Sequence, residues 1–311
     1  MTRRQFLTGL AGVAVASLGW NRLAFADTRA FDFSPEQRGQ LNASADPAAQ
    51  RLARGYRLVT PGALTVAVAP FAAPLATYAT DARTIVGSDP DYARLLADAL
   101  GLKLALVPVV WTDWPLGLAS GKFDAVIANV GVTEQRKQKF DFTTYRLGLH
   151  AFYVASTSPI QSIRAPGEIA GLRIITGSGT IQERILLEWN QQNVAQHLKP
   201  AGLQFFDDQS SAMLALQSGR ADAIFNPHAP LAYEAATQGR IRLVGTVNAG
   251  WPLKADVAVA SRKGSGLAAA LTEATNGLIA SGQYKAALAR WGIEDEAVQR
   301  SETNPPGYKD A

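Results

Sequence analysis

The chain has 311 residues, 47% of them hydrophobic and 18% charged, and no cysteine. That length supports two domains with a sizeable core in each, and the missing cysteines exclude a disulfide framework, a thiolate metal site, a cysteine nucleophile and a lipid-modified cysteine anchor. The net charge is +4, of which Arg3, Arg4 and Arg22 carry three in a first stretch of 26 residues without acids. The remaining +1 gives no electrostatic case for nucleic acid or for an anionic membrane.

Residues 1–26 read as an export signal. Arg3-Arg4-Gln5-Phe6-Leu7 precedes a mildly apolar run to Leu18, and Ala24-Phe25-Ala26 has the small-x-small pattern of a cleavage site. The run is too short and too rich in Gly and Ala for a stable membrane anchor. The paired arginines resemble a twin-arginine signal, with Thr8 where lysine often stands; an ordinary Sec signal is the alternative. Residues 27–60 are polar, contain Pro35 and Pro47, and read as an extension with one short helix around Ala48–Tyr56.

From Leu64 onward strands and helices alternate. Strands are expected at Leu64–Ala69, Leu102–Val109, Ala125–Ala128, Arg173–Thr176, Gln204–Phe206 and Ala223–Phe225. Helices are expected at Asp91–Leu100, Pro115–Ala119, Ile181–Gln192, Ser210–Gln217, Pro230–Thr237 and about Gly266 to Trp291. Such alternation implies parallel sheets covered on both faces. Leu118-Ala-Ser-Gly121-Lys122-Phe-Asp124-Ala125-Val126 recurs as Leu216-Gln-Ser-Gly219-Arg220-Ala-Asp222-Ala223-Ile224. Two copies of a helix end, a glycine cap and a strand, about a hundred residues apart, point to two similar lobes rather than a solenoid. The apolar strands Phe152–Ser156 and Val257–Ser261 would serve as crossings between them. This gives a first lobe of residues 61–155 plus 256–311 and a second of 156–255.

The ordered series Gly87-Ser88-Asp89-Pro90-Asp91-Tyr92, Ser120-Gly121-Lys122-Phe123-Asp124, Thr133-Glu134-Gln135-Arg136, Phe140-Asp141-Phe142-Thr143, Gly177-Ser178-Gly179-Thr180 and Ser218-Gly219-Arg220-Ala221-Asp222 resembles the periplasmic solute-binding proteins of polar amino-acid ABC transporters, family 3. The resemblance runs from about Leu64 to Gly292. It implies the type II periplasmic binding fold, α/β with two doubly wound lobes joined by two hinge strands. It also implies a monomer that captures a small carboxylate by hinge closure and presents it to an inner-membrane permease.

Several residues are candidates for the cleft. The strand at Ala125–Ala128 runs into a loop with Asn129, Gly131, Thr133 and Arg136, at the carboxyl end of a strand, where open α/β sheets bind ligands. A guanidinium fork matches a carboxylate bidentately, and the resemblance assigns Arg136 that role. Ser178 and Thr180 stand before a helix whose free N–H groups suit an anion, although a plain Ser/Thr cap needs no ligand. Trp111 aligns with an aromatic that stacks on ligands in the family, and Phe71 is a second wall. Asn226 and His228 flank Pro227, which falls where amino-acid receptors carry the acid that holds the ligand ammonium. Ala69 likewise replaces an acid used for basic ligands, Gly131 a common serine and Ile181 a common threonine. Burying an ammonium without a carboxylate costs several kcal/mol, so a blocked amino acid or another small organic carboxylate fits better than free lysine or arginine. Asp89 or Asp113 could compensate, although Asp89 reads as a cap of the helix near Asp91.

Dehydratases and peptidoglycan lyases use this fold too, and fold does not fix function. No Gly-x-Ser-x-Gly, His-Glu-x-x-His or convincing carboxylate pair occurs, and His150, His197 and His228 are scattered. No cofactor, metal or catalysis is therefore expected. A cyclohexadienyl dehydratase-like enzyme and an accessory periplasmic protein of a redox enzyme are the alternatives.

Overall fold

The computed structural model describes residues 31–206 and 208–309. The expected export signal lies outside the described residues.

After a short helix, α1 (Pro47–Ala53), come β1 (Ala63–Val68), β2 (Thr77–Tyr78), β3 (Ile85–Val86), α2 (Ser88–Leu100), β4 (Lys103–Pro108), α3 (Trp114–Ala119), β5 (Ala125–Gly131), α4 (Glu134–Lys137) and β6 (Phe140–Leu147). The middle of the chain forms β7 (Leu149–Ala155), β8 (Arg173–Thr176), α5 (Ile181–Ala195), β9 (Gly202–Phe205), α6 (Gln209–Gln217), β10 (Ala223–Pro227), α7 (His228–Gln238) and β11 (Ile241–Asn248). It ends with β12 (Asp256–Arg262), α8 (Leu267–Ala280) and α9 (Gln283–Arg290). The single helix expected over 266–291 is thus two, broken at Ser281-Gly282.

Two five-stranded sheets result, in the orders β4-β1-β5-β12-β6 and β11-β7-β10-β8-β9. Each is mixed, not wholly parallel as the alternation suggested. β4, β1 and β5 run parallel, while β12 is antiparallel to β5 and β6. β9, β8 and β10 run parallel, while β7 is antiparallel to β10 and β11. β7 and β12 are the strands that enter each sheet from the other one. Strands whose carboxyl ends face the crossing must meet such an entrant head-on.

The chain passes from the first sheet to the second between Leu147 and Leu149. The boundary expected at 155 is therefore misplaced: Leu149–Ala155 pairs along its length with β11 inside the second sheet. The return lies between Asn248 and Asp256. The two crossings touch at Gly148, where a Cβ would stand 2.4 Å from the Ala249 Cβ and 2.6 Å from the Ala255 carbonyl. A side chain there would force the crossings apart.

Alternate residues of each sheet feed opposite cores. Leu64, Val66 and Val68 of β1 pack with α2, α8 and α9, whereas Ala67, Val126 and Ala260 pack with Trp114, Phe123 and Phe140. In the second sheet Phe152, Val154, Ile174 and Phe225 face α5, and Ala151, Tyr153, Ile175 and Ile224 face α6 and α7. The repeat noted in the sequence is a pair of matching clasps. Asp124 exchanges backbone hydrogen bonds with Thr65 of β1, and Asp222 does so with Arg173 of β8, each through its carboxylate and its own N–H.

Both ends of the described chain touch both lobes. The arm before β1 lays Phe31, Phe33, Leu41, Tyr56 and Leu58 on the first core. Phe31 also stacks on Tyr233 of α7 at 5.0 Å while lying 5.3 Å from Trp291. At the other end the Tyr308 hydroxyl donates to Glu188 of α5 at 3.2 Å, and its backbone pairs with Val132 and Glu134. Aromatic pairs contribute about 0.5–1.5 kcal/mol beyond burial, so Phe31→Ala is expected to lower unfolding free energy by about 1–2 kcal/mol in urea denaturation.

Candidate binding cleft

A cavity of about 610 Å³ lies between the sheets. The carboxyl ends of β1, β4, β5, β8, β9 and β10 all open toward it, through Ala69, Val109, Gly131, Gly177, Phe206 and Asn226. From the first sheet Phe71, Trp111, Asn129, Gly131 and Arg136 line it; from the second, Ser178, Thr180 and Asn226. Most of the remaining wall is apolar, including Leu75, Val110, Ile175, Ile181, Pro230 and Leu231.

Arg136 sits in α4, whose N-cap is Thr133; the Thr133 hydroxyl accepts from the Arg136 N–H at 3.0 Å. The guanidinium donates from Nη1 to the Gly131 carbonyl at 2.9 Å and from Nη2 to the Gly179 carbonyl at 3.0 Å. Gly131 belongs to the first sheet and Gly179 precedes α5, so the second bond crosses the cleft. The guanidinium carbon also lies 5.4 Å from the Trp111 ring and 5.8 Å from that of Trp114, within cation–π range. Trp114 itself is core.

Two expected wall residues are not on the wall. Thr133 is buried, and its hydroxyl is committed to capping α4. His228 heads α7 with Nδ1 3.4 Å from the Tyr153 hydroxyl, beside the cavity rather than on it. Burial holds this imidazole below its usual pKa.

Thr180 is a working cap. Its hydroxyl accepts from the Glu183 N–H at 3.2 Å and donates to the Gly177 carbonyl at 2.6 Å, while the Glu183 carboxylate accepts from the Gly179 N–H at 2.6 Å. Two donors at this helix tip are thus satisfied from within. Across the cleft Gly131 meets Ile181: a Cβ on Gly131 would stand 2.4 Å from the Ile181 Cδ1. A side chain at 131 would require the Ile181 methyl to move aside, so this glycine and isoleucine fit one another and make the spot apolar.

Of the polar groups at the crossing, Asp89 is a candidate that the sequence offers and Arg146 is not. Asp89 lies in the first turn of α2 rather than at its cap, because the helix begins at Ser88 with Gly87 as N-cap. Its carboxylate lines the cavity and accepts from the Tyr145 hydroxyl at 2.8 Å. Burial pushes its pKa up to about 6, against the opposing pull of Arg146. Arg146, 2% exposed, pairs with Glu296 and donates to the Asn129 side-chain oxygen. Asn129, at φ 54°, therefore gives its carbonyl to Arg146. Arg146 lies in a strand that already mixes polar and apolar residues, so only His150, in the otherwise apolar Leu149–Ala155, stands out in the sequence.

The model of the bacterial extracellular solute-binding proteins, family 3, matches residues 64–294. The chain belongs to that family. Among curated family relatives, the L-cystine-binding protein TcyJ of Escherichia coli is 30% identical over 45% of this chain and 50% of its own length. The chain thus spans about half of that relative. The ABC transporter glutamine-binding protein GlnH of Bacillus subtilis is 28% identical over 68% of this chain and 75% of its own. The cyclohexadienyl dehydratase of Pseudomonas aeruginosa is 28% identical over 65% and 70%, so the relatives include an enzyme. A solved ancestral arginine-binding protein bound to arginine superposes with a TM-score of 0.65 at 27% identity, over 74% of this chain and 98% of that one. The solved relatives have the type II periplasmic binding fold, and this family 3 member shares it.

Proposed function

We propose that this family 3 protein is the substrate-binding component of an ABC uptake transporter. It binds an amino-acid-derived or other small carboxylate without a free ammonium, by closure of two lobes about the crossings at 148 and 249–255. It works as a binder, not an enzyme, in the periplasm after cleavage at Ala26, as a monomer that hands its ligand to a membrane permease. Among the described residues no helix is long and apolar enough to cross a membrane.

The observation that carries this reading is Arg136. Its guanidinium lies on the cavity wall and already bridges the two lobes through Gly179. A ligand carboxylate would take the place of carbonyl oxygens that this fork now holds, and the charged pair would be stronger than the neutral contacts. Asn226 and Pro227 supply no acid for an ammonium. Asp89 is the one carboxylate on the wall of this cavity among the described residues, and it lies in the field of Arg146.

Native mass spectrometry of protein purified from its own periplasm will identify the bound molecule. Arg136→Ala is then expected to weaken its binding about 10- to 150-fold by calorimetry, the 1.5–3 kcal/mol of a charged hydrogen-bonded contact. Unchanged affinity would refute the placement of the carboxylate.

A further inference from the structure

The second lobe carries buried polar groups on the cavity wall that the capture of a carboxylate does not use. His150, 4% exposed, and Thr176, 1% exposed, both line it. Among the described residues neither ring nitrogen of His150 and not the Thr176 hydroxyl makes a well-formed hydrogen bond; the Leu149 backbone acts on the imidazole only weakly, against the effect of burial. The register of the sheet brings these residues together. His150 of β7 lies opposite Pro227 of β10, and β10 is flanked on its other side by β8, which ends at Thr176. By strand alternation His150, Phe225 and Thr176 share the face that carries Phe152, Ile174 and α5. The Phe225 ring stands 5.8 Å from the His150 ring, edge-on.

A buried donor or acceptor left unmade costs about 1–3 kcal/mol, and native proteins keep few of them. Three such atoms on one face of one cavity call for a ligand group that satisfies them. Burial, with Arg146 adding to it, holds the imidazole neutral by pushing its pKa down to about 3. A neutral imidazole has one N–H to give and one lone pair to receive, and the threonine hydroxyl can do either. A second carboxylate would meet too few donors here, and an ammonium no counter-charge on this face. A hydroxyl or a carboxamide both donates and accepts.

We infer that His150 and Thr176 form a second polar subsite, which selects a ligand carrying an uncharged hydrogen-bonding group, a hydroxyl or a carboxamide, on an apolar body whose other end is the carboxylate. This rests on the binding reading above and adds the ligand class. It also gives the apolar middle of the cavity, between Trp111 and Ile181, a body to enclose.

The test uses three probes: 3-phenylpropanoate, 3-(4-hydroxyphenyl)propanoate and 3-(4-carbamoylphenyl)propanoate. Calorimetry is run on the wild type and on Thr176→Val, His150→Leu and the double variant. In the wild type the hydroxyl or the carbamoyl probe is expected to bind about tenfold tighter than the parent, which is one hydrogen bond's net worth. In the double variant that preference falls to none while the parent binds at least as tightly as before. Urea denaturation is expected to show the double variant as stable as the wild type or more so, because unpartnered polar atoms have been exchanged for apolar ones. Parent binding that Arg136→Ala abolishes, without any preference for either polar probe in the wild type, would overturn the subsite and leave the carboxylate site standing. A preference that survives in the double variant would also overturn it. Failure of all three probes on a wild type that binds free amino acids would remove both.

Discussion

Replacing Glu296 with alanine is expected to destabilise the protein by about 3–5 kcal/mol, the usual loss when one partner of a buried ion pair is removed. Its partner, Arg146, is almost wholly enclosed and has no route to solvent. The guanidinium holds Glu296 on one side and the Asn129 carbonyl on the other, above the Tyr145 ring at 5.8 Å. Without Glu296 its nearest carboxylate is Asp89, already engaged by Tyr145. Desolvation of the cation would then be poorly compensated. Urea denaturation followed by tryptophan fluorescence measures the loss, and an unshifted midpoint would refute the arrangement. The double variant Arg146→Met, Glu296→Leu is expected to regain most of the lost stability, since well-packed apolar replacements of a buried pair are commonly neutral or better. It would also release Asn129, so its ligand affinity is expected to fall even where its stability recovers. That split separates what the pair does for the fold from what it does for the cleft.

The strands and helices that alternate strongly were legible, because a β-branched run bounded by glycine carries its own signal. Ala125–Val126 or Arg173–Thr176 are recognisable without any tertiary context. β6 and β11 were not identified. Phe140–Leu147 mixes polar and apolar residues because its threonines serve the tail and α8: Thr143 donates to the Ala268 carbonyl, and Thr144 accepts from Glu302. The division at 155 failed for a related reason. Phe152–Ala155 does look like a crossing strand, but the turn into the second sheet is made by Gly148, where the constraint is contact with Ala249 rather than hydrophobicity. In the cleft, Arg136, Trp111, Phe71, Asn129, Gly131, Ser178, Thr180 and Asn226 were placed by motif, and all reach the wall. Thr133 and His228 share those motifs yet point elsewhere, because a side chain's direction follows the cap or helix start that it serves. Asp89 was a candidate and reaches the wall, and Asp113 does not; Arg146 and His150 were out of reach, since nothing in a linear pattern shows that a polar side chain beside a crossing is buried. The arm at 31–58 read as a polar extension, and its few aromatics carry the packing.

The repeated motif supports a sharper prediction. Asp124 and Asp222 occupy matching places, each closing a loop onto the first residues of a neighbouring strand, so a pattern argument would give them equal weight. Their surroundings differ. The Asp124 side chain is 0% exposed and that of Asp222 28%. Asp124 accepts from the Tyr56 hydroxyl at 3.0 Å, the Val59 N–H at 2.9 Å and the Thr65 N–H at 2.9 Å. It thereby ties the arm to β1 while Arg262 approaches to 3.9 Å. Asp222 accepts from the backbone and guanidinium of a single residue, Arg173, at the surface. Asp124→Ala would strand the buried Thr65 N–H and deprive the part-buried Val59 N–H and Tyr56 hydroxyl of their shared acceptor, the buried donor alone costing about 1–3 kcal/mol. A loss above about 3 kcal/mol is expected there by urea denaturation, with faster proteolysis of the arm. Asp222→Ala leaves donors that water can reach, and exposed ion pairs contribute little, so its loss is expected to be well under half as large. Equal losses at the two sites would mean that the motif, and not the burial around it, sets the strength of the clasp.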